Sequence, residues 1–357
     1  MAAFPTFLTS LMAAAALLVP MTPTSSMQRR TLPLHYGVNL SSAGFAPDKL
    51  PGVHGTDYLY PNGKIAEPFA AMGMNTVRLP FLWERLQPKQ FGEFNAAEAA
   101  RLDQSVAAFA GFKTIILDVH NYARFRDQPL DKMSRGGEAL ADLWSKLATR
   151  YATNPRIAFG LMNEPHGVSA VAWRRMVDQS IGAIRRSGAK QLILVPGVRW
   201  TGGAAWFDGG SDSSASAMTG VKDPANNFLF EIHQYFDRDN SGTSSKCVSR
   251  TIGRQRLAAV TAWLRKERAG GLLGEFGSSV EPTCLAALND TLVFMESNGD
   301  VWRGWTYWAG GDWWGDYPYS IQPVAGKPRP QGMVLKQHLT RYQRAAMGDK
   351  RNAQPAR

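Results

Sequence analysis

Residues Ile157–Gly167 read IAFGLMNEPHG, and this stretch decides how the chain folds. Its first half, Ile157 to Met162, is an apolar run long enough for one buried strand. It turns polar abruptly at Asn163-Glu164-Pro165-His166. Proline has no amide proton for a ladder and pushes the residue before it toward extended geometry. The expectation is a strand that ends at the acid, with Asn163 and Glu164 at its C-terminal mouth. A carboxylate beside a carboxamide there can share a proton with a bound molecule. A strand end that happens to carry a polar pair fits the tripeptide equally well, so the rest of the chain has to decide.

The same pattern recurs on both sides. Apolar runs stand at His35–Leu40, Thr76–Leu79, Thr114–Val119, Gln191–Val195, Phe228–Ile232, Gly271–Gly274 and Trp302–Tyr307. Between them lie helical patterns at Glu98–Ala110, Glu138–Tyr151, Val171–Arg186, Arg254–Arg268 and Cys284–Asn298, and Gln331–Met347 closes the series. Eight strands alternating with helices predict a parallel sheet, and eight is the number that closes a (β/α)8 barrel. An open doubly wound sheet would want a glycine-rich phosphate turn after its first strand. Gly37-Val38-Asn39-Leu40-Ser41-Ser42 is not one. Gly202–Asn227 reads as a long Gly/Ser/Asp-rich insertion.

Composition agrees with one large domain. The chain has 357 residues, 44% hydrophobic and 19% charged, enough for a sizeable core. Its net charge of +11 raises the question of nucleic acid or an acidic polymer. Lys and Arg are scattered with no run of five, which speaks against nucleic acid. Residues 1–27 are expected to be a signal peptide. Their apolar centre, Leu11 to Val19, is too short to span a bilayer and is followed by a Pro/Thr/Ser-rich stretch. No Lys or Arg precedes that centre and no clean Ala-x-Ala site follows it; a buried N-terminal helix is the alternative. The barrel is placed at 31–347, with a polar tail at 348–357. Cys247 and Cys284 match no zinc or redox spacing. In an exported protein they would pair, and in the cytosol they would be two thiols.

The polar residues fall at one end of the predicted barrel. Successive strand ends carry Asn39, Arg78, His120 with Asn121, Asn163 with Glu164, Trp200, His233 with Tyr235, Glu275 and Trp308. Enzymes on this barrel place their chemistry at the C-terminal ends of the strands. Singly, Arg78 reads as an ion-pair partner, His120 and His233 as satisfied core histidines and Trp308 as packing. Together they predict one site. Glu164 and Glu275 are its natural acid pair. Hydrolysis of an acetal between sugars needs a proton donor at the leaving oxygen and a second carboxylate across the ring. Glu164 beside Asn163 suits the acid/base, with the Asn163 amide on the 2-hydroxyl. Glu275 suits the nucleophile, with Tyr235 donating to it and Arg78 adding positive charge. The two carboxyls then need different proton affinities.

The aromatic residues point the same way. Eleven tryptophans are present, and Trp83, Trp173, Trp200, Trp206, Trp305, Trp308, Trp313 and Trp314 fall near predicted mouths, where indoles can stack on sugar faces. Trp144, Trp263 and Trp302 read as core. Other chemistries lack their marks. His120 and His233 have no second ligand at metal spacing, and no Gly-x-Ser-x-Gly elbow exists. Asp237-Arg-Asp-Asn-Ser-Gly opens like a calcium loop but lacks the closing acid. No metal or cofactor is expected.

With these residues in view, the chain resembles glycoside hydrolase family 5, the (β/α)8 retaining enzymes that include many endo-β-1,4-glucanases. The resemblance rests on Arg78 in NTVRLP, His120 in LDVHNYAR, Asn163-Glu164 in GLMNEPH, His233 and Tyr235 in HQYFD, Glu275 in GEFG and Trp308 in TYWAGG. It spans about residues 35–345. VHNYARF, LMNEPHG and DRDNSGT look like the subgroup of secreted fungal and bacterial cellulases. The resemblance implies Glu164 as acid/base, Glu275 as nucleophile, a Cys247–Cys284 disulfide and a β-1,4-linked glucan as substrate. A cellulose-binding module and linker are not seen, which favours soluble or amorphous chains. A secreted monomer without a stable membrane span is expected. Another β-glycanase on the same fold (mannanase, xyloglucanase, or one for an acidic decorated glucan, which the basic charge mildly favours) is the first alternative. A non-catalytic carbohydrate-binding barrel is the second.

Overall fold

The computed structural model of the chain describes residues 1–2 and 34–352. Residues 3–27 of the predicted signal segment therefore lie outside the described residues. Eight strands form a closed, all-parallel barrel in sequence order: β1 His35–Leu40, β2 Thr76–Phe81, β3 Thr114–Val119, β4 Ile157–Gly160, β5 Leu192–Pro196, β6 Phe228–His233, β7 Gly271–Glu275 and β8 Trp302–Gly310. β8 pairs with β1 and closes the ring, with Tyr36 opposite Trp305. β1 approaches β2 so closely that a Cβ on Gly37 would meet the Thr76 carbonyl at 1.7 Å. Only glycine fits there.

Helices wrap the outside: α1 Gly63–Met72, α2 Ala96–Ala108, α3 Gly136–Arg150, α4 Ala170–Arg186, α5 Ser214–Met218, α6 Ile252–Lys266, α7 Pro282–Ser297 and α8 Pro330–Asn352. Their starts obey capping chemistry. The Asn62 side chain accepts from the amides of Lys64 and Ile65, and Asn95 does the same for Ala97 and Glu98. α1 stops at Gly73, whose left-handed φ of 104° closes the last turn.

The core has two parts. The larger lies between strands and helices and contains Trp83, Trp144, Trp173, Trp206, Trp302 and Trp305, all fully buried. The smaller is Ile116, Ala158, Leu194, Leu229 and Leu272, one residue from each of five strands, which fills the lower lumen. Above this plug the lumen turns ionic. Arg78, Asp118 and Glu231 point into it from β2, β3 and β6 and are completely or almost completely buried. The mouth lies above that layer.

Several expectations are corrected. β4 ends at Gly160, four residues before the acid. Glu164 is not extended but has a φ of +42°. The chain is gripped on both sides of it. The Asn163 amide donates to the Val119 carbonyl at 2.7 Å, its carbonyl accepts from Tyr122 at 3.0 Å, and the Pro165 carbonyl accepts from Trp200 at 3.2 Å. Such a backbone costs about 1–3 kcal/mol and persists where its surroundings dictate it. Trp83, Trp173, Trp206 and Trp305 belong to the core rather than the mouth. α1 escaped the reading because Pro68 interrupts its pattern. The Gly202–Asn227 insertion carries the short α5. The last helix runs five residues beyond Met347.

Cys247 and Cys284 are bonded, 5.2 Å apart between Cα atoms. The bond joins the loop after β6 to α7. Two hydroxyls fasten the same loop to the loop after β8: Tyr317 donates to the Gly242 carbonyl at 2.9 Å and Tyr319 to the Ser244 carbonyl at 2.7 Å. With a sequence separation of 37 residues, the bond removes about 4 kcal/mol of unfolded-state entropy. A Cys247→Ser/Cys284→Ser variant is expected to melt on the order of 5–10 °C lower while keeping its room-temperature activity, because the tyrosine ties remain. A thermal scan with a parallel assay checks both; an unmoved midpoint would show that the bond does not constrain the unfolded chain.

Candidate active site

Arg78 is the hub. It has no solvent exposure. Its Nη1 donates to Asn39 Oδ1 at 2.9 Å and to Glu275 Oε1 at 2.8 Å, and its Nη2 donates to Asn163 Oδ1 at 2.8 Å. Nη2 also stands 3.0 Å from Asp118 Oδ1, and Nε stands 2.9 Å from Glu231 Oε1. The last two approaches are charge contacts without good hydrogen-bond geometry, since Nε and Asp118 Oδ1 count no hydrogen bond among the described residues. Asn39 holds the hub in place by donating to the carbonyls of Gly274 and Thr306 at 3.0 and 3.1 Å.

Glu275 ends β7 and has both oxygens occupied. Arg78 serves Oε1, and the Tyr235 hydroxyl donates to Oε2 at 2.7 Å. Glu164 faces it from the turn after β4 and is partly open to the cleft. His233 stands between them. Its Nδ1 is 2.8 Å from Glu164 Oε1 and 3.7 Å from Glu275 Oε2, and its Nε2 is 3.3 Å from Glu231 Oε1. The nearest donor atoms of Glu164, His233 and Glu275 all lie within 4.8 Å of one another.

The charges explain the proton affinities. Burial works against a charged His233, but Glu275, Glu164 and Glu231 outweigh it and raise its pKa to about 10. Its carboxylate neighbours therefore hold the ring as an imidazolium at neutral pH. Glu164 is pushed above the usual carboxylate range, first by burial. The hydrogen bond from His233 opposes this, and repulsion from Glu275 adds to it. Burial also works against a charged Glu231, but Arg78 and then His233 hold it below the ordinary value.

Other expected residues take their places around this core. His120 Nδ1 is 2.8 Å from Asp118 Oδ2, and its ring stacks on Trp308 with centroids 5.7 Å apart and planes 10° off parallel. Asn163 spends its oxygen on Arg78, and among the described residues no acceptor meets its Nδ2. Trp200 is 53% exposed at the cleft edge and stacks on His166 at 4.5 Å. Asn121 is tied into the loop after β3. Its oxygen accepts from the Trp83 amide at 2.8 Å and its nitrogen donates to Glu84 at 2.7 Å, bonds that secure the loop. Trp313 is 44% exposed, as its polar loop suggested.

Sequence reading missed Asp118 and Glu231. The signal was there: each is an acid inside an apolar strand, two residues before a histidine of the mouth, in LDVH and FEIH. It also missed Tyr122, whose ring packs edge-on against His120 and His166 and which lines the cleft with Glu164, Trp200, His233 and Asn240. That cleft has a volume of about 540 Å³.

Comparison with known proteins places this site in a family. Residues 38–311 match the family model described as cellulase (glycosyl hydrolase family 5). Endoglucanase 3 of Humicola insolens is 36% identical over 294 residues, 82% of this chain and 74% of the relative. Endo-beta-1,4-glucanase B of Aspergillus niger is 35% identical over 293 residues, 82% of this chain and 86% of the relative. Among solved structures, an endo-beta-1,4-glucanase from Xanthomonas axonopodis pv. citri is 44% identical and superposes with a TM-score of 0.83, covering 86% of this chain and 98% of its own. The Pseudomonas stutzeri endoglucanase in complex with cellobiose gives 0.79 at 33% identity, covering 87% and 95%. A closed eight-stranded barrel, two glutamates across its mouth and this breadth of likeness make one conclusion: the chain belongs to glycoside hydrolase family 5, the cellulase family.

Proposed function

We propose that this protein is an endo-β-1,4-glucanase that cleaves internal bonds of cellulose-type glucan with retention, Glu275 acting as nucleophile and Glu164 as acid/base. One observation carries the reading. One oxygen of each glutamate lies within 4.8 Å of one of the other, a closeness that favours a displacing pair, whose carboxyls stand ~5–5.5 Å apart, over an inverting pair at ~6.5–9.5 Å with water between. Their settings support the division of roles. Glu275 has both oxygens oriented by donors, as an attacking carboxylate needs. Glu164 faces the cleft with raised proton affinity, as a proton donor needs.

In the first step Glu275 attacks the anomeric carbon while Glu164 protonates the departing oxygen. Asn163 Nδ2 is free for the hydroxyl beside the reacting carbon, and Trp308 and Trp200 offer ring faces along the chain. In the second step Glu164, now ionised, takes a proton from water, which attacks the same carbon and frees Glu275. The names of the relatives support glucan over other polymers. The disulfide supports an exported protein, and among the described residues no helix is long and apolar enough to cross a membrane. We read the working form as a monomer.

Viscosity loss against new reducing ends tests the reading on carboxymethyl cellulose, mannan, xylan and xyloglucan. A fast viscosity drop with few new ends on the cellulose derivative alone is expected. Activity confined to another polymer would move the substrate and keep the chemistry; silence on all four would turn the search to decorated acidic glucans and, if those too were untouched, to the binding-barrel alternative.

A further inference from the structure

Two buried carboxylates, Asp118 and Glu231, have no part in the steps above. Each joins a mouth histidine to Arg78: Asp118 does so for His120 and Glu231 for His233. Glu231 is the more demanding case. A single oxygen, Oε1, stands 2.9 Å from Arg78 Nε and 3.3 Å from His233 Nε2, while among the described residues Oε2 has no hydrogen-bond partner. The bay that holds it is made by a missing side chain, because a Cβ on Gly274 would come within 2.3 Å of Glu231 Oε1. Burying an acid this way is costly.

Both ring nitrogens of His233 face carboxylate oxygens, Nδ1 toward Glu164 and Nε2 toward Glu231. Only the doubly protonated ring donates to both. A neutral ring with a bare Nδ1 would instead accept the proton of Glu164, in competition with the glycosidic oxygen. The charged groups around the ring are Glu164 from the turn after β4, Glu275 from β7, Glu231 from β6 itself and Arg78 from β2 behind Glu231. Tyr235 is a neutral donor to the neighbouring Glu275.

We propose that Glu231 is a positioning residue whose negative charge keeps His233 doubly protonated, so that the ring donates to Glu164 and cannot take its proton. The inference rests on the reading of Glu164 as the acid. With Oε1 of Glu164 occupied by a donor, the acidic proton is confined to Oε2, the oxygen left for substrate. Glu231 thus acts through His233 and touches no sugar.

The test uses the full chain and two readouts. Nitrogen-15 shifts of the His233 ring are followed against pH in the wild type and in Glu231→Gln. The wild-type ring is expected to stay doubly protonated past about pH 8, and the variant's midpoint to fall by roughly one unit or more. The second readout is kcat/KM, which reports the first chemical step, on cellopentaose and on 2,4-dinitrophenyl β-cellobioside, whose leaving group departs without a proton. Glu231→Gln should lose about tenfold or more on cellopentaose and less than about threefold on the aryl glycoside, with Glu231→Asp recovering part of the loss. Gly274→Ala crowds the same carboxylate without removing it and should show the same contrast, more weakly, even if Glu231→Gln folds poorly. An unmoved His233 midpoint, or equal losses on the two substrates, would reduce Glu231 to a prop for Arg78 and overturn the proposal. Glu164→Gln run in parallel separates the two readings: equal losses there would overturn Glu164 as the acid instead.

Discussion

Glu275→Gln should abolish turnover on every glucan, by about 10⁴-fold or more, the scale on which hydrolases lose rate with their covalent nucleophile. The substitution is nearly isosteric, yet it fails twice. An amide cannot form the glycosyl ester, and its NH2 must face a donor wherever it turns. Arg78 waits on one side at 2.8 Å and the Tyr235 hydroxyl on the other at 2.7 Å. The wild type should instead be caught in the act. A 2-deoxy-2-fluoro cellobioside with a good leaving group slows the second step, and peptide mass spectrometry should find the sugar on the fragment containing Glu275. Label on any other residue, or measurable turnover by the variant beyond contamination, would refute the assignment.

Glu164→Gln should lose about 10²- to 10⁴-fold on cello-oligosaccharides, the usual worth of a positioned proton donor. The first step on a dinitrophenyl glycoside should survive, since that leaving group needs no proton. The second step should then stall for want of a base, and added azide should restore turnover and yield the β-glycosyl azide. The pH profile follows from the same group. Glu164 must hold its proton for the first step, and its affinity lies above that of an ordinary carboxyl because of burial and Glu275, against the opposing His233 bond. The alkaline limb of activity on natural chains therefore follows this raised pKa, falling as pH climbs through it. In Glu164→Gln that alkaline limb should vanish from the residual kcat/KM on cello-oligosaccharides. A limb that persists would belong to another group.

Much of this was legible in the sequence, for physical reasons that also explain the misses. Strands buried on both faces appear as unbroken apolar runs, so β1 and β3 are found to the residue. Polar residues at the ends of such runs stand out, and that is how Arg78, Glu164, His233 and Glu275 surfaced together. Asp118 and Glu231 lie within the runs, where an acid looks like noise until a partner is known. The partner, Arg78, is 153 residues from Glu231 in sequence and 2.9 Å away in space. Tryptophan was misread because position near a predicted mouth says nothing of which side of the strand the indole takes. Trp305 and Trp308 share one strand, the first fully buried in the core and the second half-buried and stacked on His120. The turn at Glu164 could not be seen either, since its left-handed backbone is imposed by the Asn163, Pro165 and Trp200 contacts rather than by the residue or its proline.

The Arg78 layer also sets where this protein can be improved. A buried cluster of one guanidinium and three carboxylates contributes little net stability, but removing one member strands the others at about 3–5 kcal/mol. A designer seeking heat tolerance would ordinarily replace such a cluster with hydrocarbon, as can succeed elsewhere. Here the hydrocarbon would erase the scaffold of both glutamates. Stabilising changes are therefore confined to the helix faces and the lower plug, while changes of specificity fall to the outer rim around Trp200 and Trp313. The middle of the barrel is closed to both kinds of redesign.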